Sequence, residues 1–256
     1  MTLSRNSARQ RLVETGFLLG CFVEIPAPEI VEILGAAGLD FAVIDCEHGA
    51  LNPETVAGMI RAAASSAIAP LVRVRENAPG AILEALDLGA VGLHIPQVGS
   101  PEQAAAAVRA CRFAPAGQRG FNPFVRSASF GAAPVTDPDT LLVLHLEAGA
   151  AIASAEDILA VPGIDVAFVG PYDLSMSLGV AGEVLDPQVR QAVRAVGQAA
   201  ARHGVTLGAF ANTIEHAEVW LNEGVRYLAF GVDSNILFRA AGEIRRQVAG
   251  LRSAPG

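Results

Sequence analysis

The sequence predicts an α/β fold in which eight parallel strands close into a (β/α)8 TIM barrel, as a single domain over residues 1–256. Three observations lead there. Apolar runs of strand length recur eight times, and alanine-rich segments with helical spacing separate them. Eight such units fill a chain of 256 residues as a closed barrel better than as an open, doubly wound sheet. The stretch GCFVEIPAPE at the first run holds no G-x-G-x-x-G, so the fingerprint of a dinucleotide-binding sheet is missing.

The strands are expected at residues 18–24, 41–46, 70–74, 91–95, 141–147, 166–169, 205–210 and 227–231. Pro28-Glu29 opens a first inter-strand helix that Gly35 and Gly38 close, because proline suits the first helical turn and glycine the end. Further helices are expected from Pro53 to Ala64, Ala78 to Leu88, Pro101 to Cys111, and over 187–203. Residues 112–140 lack periodicity and hold Pro115, Gly117, Gly120, Pro123, Gly131, Pro134 and Pro138. They are expected to form a long loop following strand four, and loops of that length usually serve function. At the N-terminus, Arg5, Arg9 and Arg11 before Leu18-Leu19-Gly20-Cys21 imitate a lipoprotein signal. Glu14, Thr15 and Glu24 interrupt that pattern, so a short helix entering a strand is expected instead.

Composition narrows the chemistry. All 18 basic residues are arginine, since the chain has no lysine. Schiff-base aldolases, pyridoxal phosphate enzymes and lysine-dependent phosphate loops are therefore excluded. Carbonyl chemistry would need a metal ion or an oxyanion hole. The net charge of -8 and scattered arginines argue against a nucleic-acid partner. The longest stretch without Asp, Glu, Lys or Arg, Leu88 to Pro101, contains a histidine, a glutamine and two prolines, so no membrane association is expected. Cys21, Cys46 and Cys111 form neither a disulfide framework nor a zinc spacing, which places the chain in a reducing compartment, the cytoplasm.

In a parallel barrel the residues just past the C-terminal ends of the strands form the active face. Those positions hold Asp45, Glu47 and His48 after strand two, and Arg73 and Arg75 after strand three. Strand five adds His145 and Glu147, and strand six leads into Gly170-Pro171-Tyr172-Asp173. Each has a plainer reading: His48 as an ordinary loop histidine, Glu147 and Asp173 as helix caps, Arg73 as a structural ion pair. Two oxygen donors with open positions would also suit Mg²⁺ or Mn²⁺. Such an ion can hold a 2-keto acid and stabilise its enolate.

The segments FAVIDCEHG, PLVRV, LEAG, VAFVGPYDLSMSLG and YLAFGVDSNIL, in that order over about residues 15–245, resemble the HpcH/HpaI family of metal-dependent pyruvate aldolases. The resemblance implies a barrel whose last helix is exchanged between subunits of a homohexamer, a trimer of dimers. It implies metal binding by Glu147 and Asp173, with Mg²⁺, Mn²⁺ or Co²⁺ as the cofactor. His48 takes the place of the base, Arg73 that of the pyruvate-binding arginine, and Asp87 that of the aspartate supporting His48. Phe22 stands where relatives carry a tryptophan at the end of strand one. The backbone amides of Gly170, Pro171, Tyr172 and Asp173 would receive the substrate carboxylate. Asp45, Glu47 and His145 would stand behind these groups.

Two features depart from the family pattern. His145 replaces the usual glutamine two residues before the metal glutamate, and QRGFNPFVRSASFG is bulkier than the usual glycine- and serine-rich loop. That loop is expected to face the second substrate. His145 is expected beside the metal shell, as a core histidine, a third ligand or, preferred here, a donor to Glu147 or to water on the metal. The implied reaction is cleavage or formation of a 4-hydroxy-2-keto acid, with pyruvate as enolate donor and an aldehyde as acceptor. Alternatives are a citrate-synthase-like condensation or oxaloacetate decarboxylation, a phosphate-binding isomerase, and a non-catalytic barrel.

Overall fold

In the computed structural model, which describes residues 7–132 and 139–253, eight parallel strands pair in sequence order and close into a barrel. Arg5, Pro134 and Pro138 lie outside the described residues. The strands are β1 (Leu18–Val23), β2 (Phe41–Asp45), β3 (Ala69–Arg73), β4 (Gly92–Ile95), β5 (Leu141–His145), β6 (Val166–Val169), β7 (Thr206–Ala211) and β8 (Tyr227–Val232). The helices are α1 (Ala8–Thr15), α2 (Pro28–Ala36), α3 (Pro53–Ser65), α4 (Pro79–Leu88), α5 (Pro101–Cys111), α6 (Gly149–Ala153), α7 (Ala155–Leu159), α8 (Pro171–Ser177), α9 (Pro187–His203), α10 (Ile214–Asn222) and α11 (Asp233–Ser253).

Proline opens α2, α3, α4, α5, α8 and α9, where its missing N–H has no helical partner to lose. Asn52 and Ser100 cap α3 and α5 by accepting the amides of Thr55 and Gln103. Strand alternation divides the core in two. Phe41, Val43, Leu71, Leu141, Val143, Val166, Phe168 and Tyr227 fill the barrel interior, while Ala42, Ile44, Val72, Leu142 and Leu144 pack against the helices. The same alternation sends Asp45, Arg73, His94 and His145 inward, because each lies two residues beyond an inward-facing position. Register then sets their neighbours: Asp45 lies opposite Arg73, and Arg73 opposite His94.

The segment after residue 111 corrects one expectation. It follows the expected helix α5 and leads to β5, with a 3-10 turn at Arg126–Gly131. Helices return the chain to the N-terminal ends of the strands, so this loop lies at the barrel's opposite end. There Arg119 and Arg126 line a cavity of about 330 Å³ with Pro70, Ala90, Val91 and Thr140. Within one chain it does not face the site at the strands' C-terminal ends. No helix among the described residues is long and apolar enough to cross a membrane.

Candidate active site

Asp45 organises the mouth of the barrel. Fully buried, it accepts the Arg73 Nε–H on Oδ1 at 2.8 Å and an Arg73 Nη2–H on Oδ2 at 2.6 Å. Its Oδ1 also accepts the backbone amides of Glu47 at 3.0 Å and His48 at 3.3 Å. One carboxylate thus fixes both the arginine and the turn that presents His48. Gly49 completes the turn, since a Cβ there would collide with the Asp45 carbonyl. The third arm of Arg73, Nη1, lies 3.2 Å from Glu47 Oε2, and the guanidinium carbon sits 4.8 Å above the Phe22 ring. Burial opposes the Arg73 charge, but Asp45, Glu47 and Glu147 outweigh it and raise its pKa.

Glu147 follows β5, and its Oε1 accepts the Gln97 backbone amide at 3.0 Å. Gln97 adopts a left-handed backbone (φ 55°) and donates its side-chain amide to Glu47 at 2.9 Å. Burial disfavours the Glu147 charge; the facing His145 ring, the Gln97 N–H and the Arg73 charge outweigh that cost and lower its pKa below the ordinary carboxylate range. Asp173 lies in the first turn of α8 and is exposed. The two carboxylates converge on Gly170, whose backbone leaves a niche between them. A Cβ built there would lie 3.0 Å from Glu147 Oε2 and 3.5 Å from Asp173 Oδ2. This niche fits a hard divalent cation, which prefers several oxygen donors and retains open positions. Among the described residues no group of three or more His, Cys, Asp or Glu side chains forms a metal cage, so the pair is the candidate ligand set.

Phe22, Glu24, His48, Arg73, Glu147 and Asp173 border a cavity of about 250 Å³. Gly170, Pro171 and Tyr172 close one side of it, and Phe168, Phe210 and Val232 supply further apolar wall. A second cavity of about 350 Å³ adds Glu47, Gln97 and Ser177 and shares His48, Glu147 and Asp173 with the first. At the turn into α8, Gly170, Tyr172 and Asp173 carry amide hydrogens; Pro171 has none and contributes only its ring.

His145 is 1% exposed and lies beneath Glu147, with Nδ1 3.6 Å from Oε2, just outside hydrogen-bond length. Its ring stacks on Phe168 with centroids 4.7 Å apart.

Asp87 is not at this site. It sits near the end of α4, where Arg119 donates to it at 2.8 Å, because α4 has by then returned to the barrel's N-terminal end. A single chain does not bring it to His48. Arg75 donates to the Leu51 carbonyl, away from Arg73. Sequence reasoning passed over Gln97, Glu24, His94 and Asp233. The last accepts the Glu24 and Ile25 amides at 3.0 Å each and thereby anchors the segment after β1. A histidine inside GLHI and an aspartate opening α11 were the available signals.

A profile of the HpcH/HpaI aldolase/citrate lyase family matches residues 18–240. The chain belongs to the HpcH/HpaI family. It is 32% identical over 244 residues to the hydroxypyruvate/pyruvate aldolase of Roseobacter denitrificans, covering 93% of this chain and 95% of that one. It is also 32% identical over 240 residues to the 5-keto-4-deoxy-D-glucarate aldolase of Salmonella paratyphi C, covering 92% and 93% respectively. Among solved structures of HpcH/HpaI proteins and their neighbours, citrate synthase SbnG superposes with a TM-score of 0.87 at 30% identity, covering 97% of this chain and 100% of that one.

Proposed function

We propose that this chain is a divalent-cation-dependent carbon–carbon lyase that cleaves or forms 4-hydroxy-2-keto acids, with pyruvate as donor and an aldehyde as acceptor. The observation that carries the reading is the convergence of Glu147 and Asp173 on Gly170 within one cavity that also contains Arg73 and His48. Mg²⁺, Mn²⁺ or Co²⁺ held by the two carboxylates would supply the positive charge that polarises the keto acid's carbonyl.

The remaining steps belong to the protein. Arg73, preset by Asp45, neutralises the substrate carboxylate and the charge that develops on the carbonyl oxygen as C3–C4 breaks. The free amides of Tyr172 and Asp173, with that of Gly170, offer donors to the same carboxylate. His48 takes the proton from the C4 hydroxyl as the bond opens; a proton delivered to C3 of the resulting enolate, from protonated His48 directly or through water, completes pyruvate, and the reverse direction runs the same transfers backwards. Phe22 and Phe168 exclude water from the carbanionic face. The absence of lysine removes the Schiff-base route to the same products.

A citrate-synthase-like condensation or oxaloacetate decarboxylation is the second reading, favoured by the similarity to SbnG. Enzyme supplied with Mg²⁺ separates the readings by its rates on a 4-hydroxy-2-keto acid, on oxaloacetate alone, and on oxaloacetate with a second keto acid. Faster release of pyruvate and aldehyde from the hydroxy acid supports the aldolase. Citrate formation without hydroxy-acid cleavage overturns it. Assembly as a homohexamer, a trimer of dimers exchanging α11, is part of the proposal; the exposed Leu237, Phe238, Ile244, Val248 and Leu251 on that helix support it. The free thiols of Cys21, Cys46 and Cys111 support residence in the cytoplasm.

A further inference from the structure

Beneath Glu147 the barrel interior contains a line of polar side chains that the reaction does not use. His94 Nδ1 lies 2.8 Å from His145 Nε2, and His94 Nε2 lies 2.8 Å from the Tyr227 hydroxyl. Tyr227 and His94 are fully buried, His145 is 1% exposed, and each comes from a different strand. His145 Nδ1 has no hydrogen-bond partner among the described residues, although it is buried; the carboxylate of Glu147 faces it at 3.6 Å.

We propose that Tyr227, His94 and His145 form a hydrogen-bonded chain of fixed polarity that makes His145 Nδ1 a donor and orients Glu147 before any cation arrives. The polarity follows from counting hydrogens. The phenol has one hydrogen, and His94 is the partner its hydroxyl has among the described residues. If His94 Nε2 carried the proton instead, the phenol hydrogen would be buried without an acceptor, a cost of about 1–3 kcal/mol. Tyr227 therefore donates to Nε2. A neutral His94 then carries its hydrogen on Nδ1 and donates to His145 Nε2. With His145 Nε2 accepting that hydrogen, the ring hydrogen of His145 lies on Nδ1, towards Glu147. Burial agrees with both neutral ends, since it lowers the His94 pKa well below its ordinary value and raises that of Tyr227 well above.

The opposite polarity fails twice: it strands the phenol hydrogen and turns a bare nitrogen lone pair towards a carboxylate. With the proposed order, Glu147 receives the Gln97 N–H on Oε1 and faces a second donor at Oε2. Carboxylates held by such outer partners keep one geometry, and loss of a partner typically weakens metal affinity about 10–100-fold. His94 and Tyr227 act through His145 and are positioning residues.

The inference rests on the cation-site reading of Glu147 for its consequence, but the polarity is readable without a cation. Long-range ¹H–¹⁵N spectra of metal-free, full-length protein with ¹⁵N-labelled histidine should show both His94 and His145 as neutral Nδ1–H tautomers, with His94→Gln and His145→Gln assigning the signals. An Nε2–H or doubly protonated His145 overturns the proposal. Tyr227→Phe should broaden or mix the His94 tautomer and weaken Mn²⁺ binding, read by electron paramagnetic resonance of free Mn²⁺. His145→Leu should weaken it about tenfold or more, whereas His145→Gln, whose amide can donate to Glu147, should stay within about threefold. Unchanged tautomers and Mn²⁺ affinity in Tyr227→Phe reduce the chain to packing and refute it. Wild-type protein that binds no Mn²⁺ removes the proposed consequence and contradicts the cation reading, while the tautomers still decide the polarity.

Discussion

Asp45→Asn is the substitution from which the geometry of the site predicts most. The change is isosteric and removes one charge. The retained oxygen can still accept from Arg73 Nε and from the amides of Glu47 and His48. The new amide, however, points donor hydrogens at Arg73 Nη2, which in the wild type sits 2.6 Å from Oδ2. A charge-assisted hydrogen bond, about 1.5–3 kcal/mol, is lost. Breaking a buried pair by removing one partner costs about 3–5 kcal/mol, because the other charge stays buried. Arg73 keeps Glu47 at 3.2 Å as partial compensation, which puts the expected loss at about 3 kcal/mol, the low end of that range. In a chain of this size such a loss lowers the melting temperature by roughly 6–12 °C. Urea unfolding and calorimetry of variant and wild type at one protein concentration measure it. Pyruvate affinity should fall in parallel, since Arg73 and the His48 turn lose their common anchor. A loss below about 1 kcal/mol would show that Asp45 does not carry the pair, and the reasoning about the mouth of the barrel would fail.

Other outcomes follow from the same contacts. Arg73→Lys keeps the charge but not the planar fork, so turnover and pyruvate affinity should fall by about 1.5–3 kcal/mol; unchanged kinetics would make Arg73 purely structural. His48→Ala should depress cleavage of a 4-hydroxy-2-keto acid more than decarboxylation of oxaloacetate, which has no hydroxyl proton to remove. Equal losses would contradict the base assignment. Stability should decline below about pH 6.5, because His94, facing His145, Tyr227 and the Arg73 charge, has its pKa lowered in the fold. Between the folded and unfolded values the unfolded chain binds the extra proton, giving a slope of about 1.4 kcal/mol per pH unit for this one group. Urea midpoints from pH 7.5 to 5.5 read that slope, and His94→Gln should flatten it; an identical slope in the variant would assign the effect elsewhere.

The positions of the strands were legible because each is a short apolar run bounded by glycine, proline or a charge. The eight observed strands begin and end within two residues of the expected ones. The grouping of the candidate site was legible for a related reason: parity and the C-terminal-end rule put Arg73, Glu147 and His48 at one end of the barrel, where they border one cavity. Three kinds of fact were not. Asp87 was assigned by the family resemblance and the segment after residue 111 by order along the chain, and neither reveals that within one chain a helix has carried them to the barrel's far end. His94 and Tyr227 lie within apolar strands, where a sequence shows an isolated polar side chain but not its partner on another strand. The direction of the Arg73 fork depends on Asp45 lying opposite it in register, which is a property of strand pairing rather than of either strand.

The most direct test of the central claim is pyruvate release from a 4-hydroxy-2-keto acid by enzyme stripped with chelator, before and after readdition of Mg²⁺, Mn²⁺ or Co²⁺. Glu147 and Asp173 are the proposed protein ligands and the chain has no lysine to form an imine. Activity should therefore vanish on stripping and return with the ion. Glu147→Ala and Asp173→Ala should behave like the stripped enzyme, and borohydride with pyruvate should trap no adduct. Full turnover by a preparation shown to be metal-free would contradict the account.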